Sequence, residues 1–71
     1  MHTYREAFEH FMQLSLFETQ AEFCKASNLS SAYVSQLLKG KNGMPKFDRA
    51  CIIADTLGVS LQDFRDYMES D

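Results

Sequence analysis

Long apolar runs are absent from this sequence. No stretch approaches the ~20 hydrophobic residues that span a bilayer, and the N-terminus carries no signal-peptide pattern. Hydrophobic residues still make up 45% of the chain, which fits a soluble intracellular protein. The composition therefore predicts a soluble protein without a membrane partner, and we expect it in the cytoplasm.

Residue patterns for catalysis and metal binding are also absent. The chain has three glycines, and they form neither a phosphate-cradling loop nor a Gly-x-Ser-x-Gly motif. We interpret His2 and His10 as surface residues rather than metal ligands. Cys24 and Cys51 lie on apolar faces of predicted helices, which favours small core residues over a disulfide. We therefore predict that the protein is not an enzyme and uses no metal or cofactor.

Positive charge is scarce, with 7 Lys and Arg residues against 10 Asp and Glu and a net charge of −3. This balance disfavours nucleic-acid binding, because neutralisation of phosphates by Lys and Arg supplies most of the non-specific affinity for DNA. The distribution of charge along the chain partly offsets this argument against DNA binding. Residues 25–49 sum to +4 and the rest of the chain to −7, since that segment sets five cations against Asp48 alone: Lys25, Lys39, Lys41, Lys46 and Arg49.

The segment 19–41 has the pattern of two short helices joined by a tight turn. Thr19 and Glu22 have the spacing of a capping box, which predicts a helix from about Gln20. That helix should end near Ser27, because Asn28 tolerates a left-handed conformation. We expect Leu29, in the turn, to point inward.

Ser30 is the predicted N-cap of the second helix, over about residues 31–39, with Gly40 as its C-terminal cap. Val34, Leu37 and Leu38 recur at helical spacing and predict a buried stripe. The remaining side chains should point outward: Ser31, Ala32, Tyr33, Ser35, Gln36 and Lys39. A helix pair of this form can lay its second helix in the major groove of DNA.

The pattern resembles the helix-turn-helix of the Cro/cI (Xre-like) family of bacterial and phage regulators. The resemblance covers about residues 3–68 and rests on Thr19-Gln20, Asn28-Leu29-Ser30, Val34-Ser35, Gly40-Lys41, Pro45-Lys46-Phe47, Leu57-Gly58-Val59-Ser60-Leu61 and Phe64. It implies an all-α, compact five-helix, lambda-repressor-like DNA-binding domain in which helices 2 and 3 form the motif. We expect residues 1–71 to form this single domain, with a core of about residues 3–68.

The outer helices are predicted from their apolar positions. The first should span about Thr3 to Leu14 or Ser15 and bury Tyr4, Ala7, Phe8, Phe11 and Leu14, with Leu16 and Phe17 sealing the link to the next helix. The fourth should run from Phe47 or Asp48 to Leu57 and bury Phe47, Ala50, Cys51, Ala54 and Leu57. The fifth should begin at the N-cap Ser60, followed by Asp63, and dock Leu61 and Phe64 on the core.

The resemblance also implies roles for individual residues. Phosphate contacts would come from the amide end of the second helix and, on the other side of the groove, from residues at and after the end of the third: Thr19, Gln20, Lys39, Lys41, Asn42 and Lys46. Base reading would fall to Ser31, Ala32, Tyr33, Ser35 and Gln36. Of these, only Gln36 can make the two-pronged contact to adenine, and only Ala32 and Tyr33 offer apolar contact to a thymine methyl. No arginine projects from this helix, which favours modest affinity, indirect readout or cooperative binding.

Related short regulators commonly pair through the last helix. The resemblance therefore makes four residues candidates for a dimer interface: Ile52, Phe64, Tyr67 and Met68. For Tyr67 and Met68, extra core is the competing interpretation. The sequence thus predicts a small sequence-specific transcriptional regulator, Cro-like or a phage or mobile-element repressor, which binds a palindromic operator in double-stranded DNA as a homodimer. The alternative is a protein-interaction module, an antirepressor or co-repressor, that binds another regulator.

Overall fold

Hydrogen-bonding caps set the start of most helices in this computed structural model, which describes residues 1–40 and 44–70. The described residues form α1 (Tyr4–Leu14), α2 (Gln20–Ser27), α3 (Ser31–Lys39), α4 (Phe47–Leu57) and α5 (Leu61–Glu69). Reciprocal capping boxes begin three of them, formed by Thr3 with Glu6, Thr19 with Glu22, and Ser60 with Asp63. The Ser30 hydroxyl caps α3 by accepting from the Tyr33 N–H at 3.1 Å. The all-α, five-helix prediction is confirmed.

Left-handed residues end three of the helices. Asn28 has φ 63°, Gly40 has φ 73° and Gly58 has φ 75°. These conformations suit glycine and, among residues with a side chain, asparagine. Each lets the chain reverse direction within one residue, so the ends predicted for α2, α3 and α4 are confirmed.

The core lies where all five helices meet. Phe8, Phe23, Val34 and Ile53 are its largest fully buried side chains. Aromatic rings account for much of the packing: Phe8 meets Phe23 edge-on at 5.2 Å, and Tyr4 stacks on Phe64 at 5.0 Å. The helix-turn-helix is therefore anchored from α2 by Phe23 and from α3 by Val34, which leaves the opposite side of α3 available for contact.

The link between α1 and α2 corrects two predictions. Leu14 is 70% exposed and Leu16 is 97% exposed, although we expected the first to be buried and the second to seal the link. The Ser15 hydroxyl donates to the Met12 carbonyl at 2.6 Å and accepts from the Phe17 N–H at 3.2 Å. This local turn directs Phe17 inward, where it meets Phe23 edge-on at 5.8 Å, and leaves both leucines beside an open cleft.

The first residues of α4 and α5 also differ from expectation. Phe47 is 75% exposed and Leu61 is 37% exposed, whereas Ile53, which we had not assigned to the core, is fully buried. Ile53 and Phe64 lie one or more turns into their helices, where neighbouring helices surround them. Phe47 and Leu61 begin their helices and line an apolar groove at the protein surface instead.

No helix among residues 1–40 and 44–70 is long and apolar enough to cross a membrane.

Candidate nucleic-acid interface

The turn between α2 and α3 is built from short-range contacts. Left-handed Asn28 ends α2, and the Ser27 hydroxyl accepts from the Leu29 N–H at 3.3 Å. Leu29 is buried, which pins the turn to the core as predicted. The two helices are therefore held at a defined angle by a cap, a hydrogen bond and a buried leucine.

The outward face of α3 follows from its helical period. Since Val34 and Leu37 are buried, a helix of 3.6 residues per turn must direct the far side of its surface to solvent. Ser31, Ala32, Gln36 and Lys39 are exposed there. Tyr33 lies on one shoulder between the exposed and buried sides and is half-buried, and Ser35 is also half-buried. The centre of the predicted reading face is thus small, polar and uncharged, and it ends in a lysine.

The first turn of α2 meets one shoulder of α3. The Gln20 side-chain amide donates to the Ser31 carbonyl at 3.5 Å. The Thr19 hydroxyl accepts from the Glu22 N–H, while the Glu22 carboxylate accepts from the N–H groups of Thr19 at 3.1 Å and Glu18 at 2.7 Å. Each side chain thus makes a hydrogen bond within the protein and keeps one donor for a phosphate: the Thr19 hydroxyl proton and the second N–H of the Gln20 amide.

The start of α4 meets the other shoulder. The Arg49 guanidinium carbon lies 5.2 Å from the centroid of the Tyr33 ring, within the range of a cation–π contact. A cleft of about 350 Å³ opens at this corner, lined by Tyr33, Met44, Pro45, Lys46 and Arg49. Sequence reasoning counted Arg49 in the basic segment but gave it no role. The positive charge of Arg49 is visible in the sequence. Its proximity to α3 is not, because it depends on how α4 packs.

Two further predicted phosphate ligands, Lys41 and Asn42, lie outside the described residues. The others, Lys39 and Lys46, are exposed at the end of α3 and at the N-cap of α4. The structure therefore brings Gln20, Lys39, Lys46 and the predicted base-reading residues onto or beside a single helix.

A protein-family model described as helix-turn-helix matches residues 19–64, from the capping box of α2 to the buried phenylalanine of α5. The chain belongs to the Cro/cI-type (Xre-like) helix-turn-helix family. Membership of this helix-turn-helix family indicates DNA binding and is typical of proteins that are not enzymes. No curated protein and no solved structure matches the chain.

In this Cro/cI-type domain the predicted dimer residues divide between core and surface. Phe64 is 3% exposed and belongs to the core, so its prediction as an interface residue is wrong: the Tyr4 and Phe11 rings cover it. Ile52 is 38% exposed. Met68 is half-buried and lines the same apolar groove as Phe47 and Leu61.

The Tyr67 ring stacks with both histidines of this domain, His2 and His10. Its centroid lies 4.5 Å from that of His2 and 4.2 Å from that of His10. His2 also lies 3.7 Å from the Glu6 carboxylate. The histidines are therefore half-buried parts of an aromatic stack, and the interpretation of both as simple surface residues is corrected. Stacking on both histidines and the contact with the Phe11 ring at 5.9 Å leave only part of the Tyr67 side chain for a partner.

Proposed function

We propose that this protein is a small, sequence-specific transcriptional regulator of the Cro-like or phage-repressor type, acting on DNA in the cytoplasm. The observation that carries the proposal is the exposed face of α3, which projects from a helix-turn-helix frame between Gln20 on one side and Arg49 on the other. The major groove admits an α-helix, and small residues let the helix backbone approach the base edges closely. Ser31 and Ala32 are small residues at the start of α3, where such helices contact base edges.

Three residues of α3 would carry the base contacts. Gln36 is exposed and has the donor and acceptor needed for a two-pronged contact to adenine. Ala32 offers a methyl group to thymine, and Ser31 can hydrogen-bond to several bases. Because none of these contacts selects guanine strongly, we expect an operator read chiefly at A·T pairs.

We further propose that the protein binds a palindromic operator as a homodimer. One α3 reads only a few base pairs, so two copies on half-sites about one helical turn apart would be needed for useful specificity. The exposed Ile52, the half-buried Met68 and the uncovered part of Tyr67 are the interface residues that we retain from the sequence.

Selection of bound duplexes from a random pool, followed by footprinting, tests this proposal. The expected result is a two-fold symmetric site whose binding weakens steeply as salt rises. Gln36→Ala should change the base preferred at one position of each half-site. Lys39→Ala is the matched comparison, because loss of a phosphate contact should weaken all sequences to a similar extent. Failure to retain any duplex at low salt would contradict the proposal.

The second candidate function is a protein-interaction module that binds another regulator, as an antirepressor or co-repressor does. Its support is the apolar groove of about 550 Å³, which exposes Phe47 to 75% and Met44 to 65%. The acidic net charge and the lack of arginine on α3 are also consistent with it. A Phe47→Ser variant separates the two functions: it should retain binding of one copy to a duplex that carries a single half-site but lose any complex with a second regulator.

A further inference from the structure

The corner between α3 and α4 contains an arginine held against an aromatic ring. Arg49 is exposed, yet its guanidinium lies over the half-buried ring of Tyr33 at 5.2 Å from the centroid. Within the described parts of the chain, Arg49 has no carboxylate at ion-pair distance. Arg65, in contrast, donates to Glu69 at 3.1 Å. The contact with the Tyr33 ring therefore restricts this side chain in the unbound protein.

The local charges at this corner are unusual for a helix start. Helix N-termini favour acidic residues, because the helix dipole is positive there. α4 instead begins with Lys46 at its N-cap, without a side-chain cap, and carries Arg49 in its first turn. Asp48 is the acidic residue of that turn, and its carboxylate accepts from the Arg49 N–H at 2.9 Å. Lys46 and Arg49 therefore border one cleft at the N-terminus of α4, where their positive charge is not favoured by the helix dipole.

We infer that Arg49 binds one phosphodiester of the DNA backbone at the α4 edge of the groove, and that Tyr33 positions it for this contact instead of reading a base. The assignment rests on the proposed DNA binding and adds a ligand to it. A guanidinium presents a planar fork of donors that matches two phosphate oxygens. Stacking on Tyr33 leaves the donors at the guanidinium edge available and reduces the rotamer freedom that binding would otherwise remove.

The contact lies on the opposite shoulder of α3 from Gln20. With a phosphate bound near Gln20 and another at Arg49, the backbone would be held on both sides of the recognition helix. Such contacts set the position of a helix in the groove and carry no base information. In this arrangement Arg49 of α4 contacts the DNA backbone, although α3 itself contains no arginine.

Fluorescence anisotropy of the full chain with its selected operator duplex, titrated at several salt concentrations, tests the assignment. Arg49→Ala should weaken binding about tenfold at low salt and reduce the salt slope by about 0.9, the value of one phosphate contact. Arg49→Lys should retain the slope but lose roughly threefold in affinity, because an ammonium has the charge without the fork. Base preference should be unchanged in both variants.

Tyr33 variants test the positioning role. Tyr33→Phe retains the ring and should bind like the wild type, whereas Tyr33→Leu should lose roughly threefold in affinity. The same Leu substitution in the Arg49→Ala background should have no further effect, since the residue that it positions is gone. Arg65→Ala is the matched control, because Arg65 is also exposed on a helix but is paired with Glu69 on α5. Circular dichroism establishes that each variant is folded.

Three results would overturn the assignment in distinguishable ways. If Arg49→Ala binds with the wild-type affinity and salt slope while Lys39→Ala weakens binding, Arg49 makes no contact but DNA binding stands. If Arg49→Ala changes the preferred base at one operator position, its partner is a base and not a phosphodiester. If the wild-type protein retains no duplex at low salt, both the assignment and the proposed function fail.

Discussion

Tyr4 has a buried hydroxyl without a hydrogen-bond partner among the described residues. The side chain is 6% exposed, and among residues 1–40 and 44–70 its oxygen has no hydrogen-bond partner. A buried polar group left without a partner costs about 1–3 kcal/mol. Tyr4→Phe removes the hydroxyl and keeps the stack on Phe64, which has a centroid distance of 5.0 Å. We expect a gain at the lower end of that range, because the deleted oxygen leaves a small void.

Thermal and urea unfolding measure this gain. A stabilisation of about 1 kcal/mol corresponds to a rise in Tm of about 4–8 °C for a domain of this size. Tyr67→Phe is the matched control, since it removes a hydroxyl from a half-buried tyrosine whose ring keeps the same stacking partners. A lower Tm for Tyr4→Phe than for the wild type would refute the reasoning, because it would show that the hydroxyl makes a favourable bond.

The Tyr4→Phe substitution should also change how stability depends on pH in the alkaline range. Burial, and secondarily the nearby Tyr33, raises the pKa of Tyr4 above its ordinary value of 10.0. Above about pH 10 the hydroxyl of the unfolded chain loses its proton while that of the folded chain keeps it, so stability falls as pH rises. Tyr4→Phe should lose less stability than the wild type between about pH 9 and 11. Equal losses would indicate that the Tyr4 hydroxyl titrates alike in both states.

Other substitutions test the core, the turn and a cap. Phe23→Ala should lower the free energy of unfolding by about 3–5 kcal/mol, whereas Leu16→Ala at a 97% exposed position should change it by less than about 0.5 kcal/mol, both measured in urea. Asn28→Ala should cost about 1–2 kcal/mol because of its left-handed backbone, and Asn28→Gly should be close to neutral. Hydrogen bonds from Thr3, first from its N–H, hold the pKa of Glu6 below its ordinary value of 4.5, so their stabilisation is present above about pH 4.5 and lost at lower pH. Glu6→Gln should flatten the acid side of the stability profile, and an unchanged profile would count against the capping box.

Local signals predicted the frame of this domain well. The Thr19 capping box, the left-handed Asn28 and the Ser30 cap each depend on atoms within three residues along the chain, so their spacing in the sequence was sufficient. The family match then covers this frame and the helices that follow it. Prediction succeeded where the cause of the structure lies within one turn of a helix.

Burial at helix ends was harder to predict. Leu14 and Phe47 occupy apolar helical positions by periodicity, but each lies at one end of its helix and is left exposed by the other described helices. Helical spacing reports which side of a helix faces inward and says nothing of how far the core extends along it. Arg49 shows the same limit at the interface, because its contact with Tyr33 joins two helices and depends on the angle between them.

The most direct test of the central claim is amide chemical-shift mapping of the full chain with a short DNA duplex at low salt. On a half-site duplex too short for a second copy to bind, we expect the largest changes on α3, at the first turn of α2 near Gln20 and at the start of α4 near Arg49. α5, which we assign to the dimer interface, should change little. Shifts confined to the apolar groove around Phe47 and Leu61, or no shifts at all, would contradict the claim that this face binds DNA.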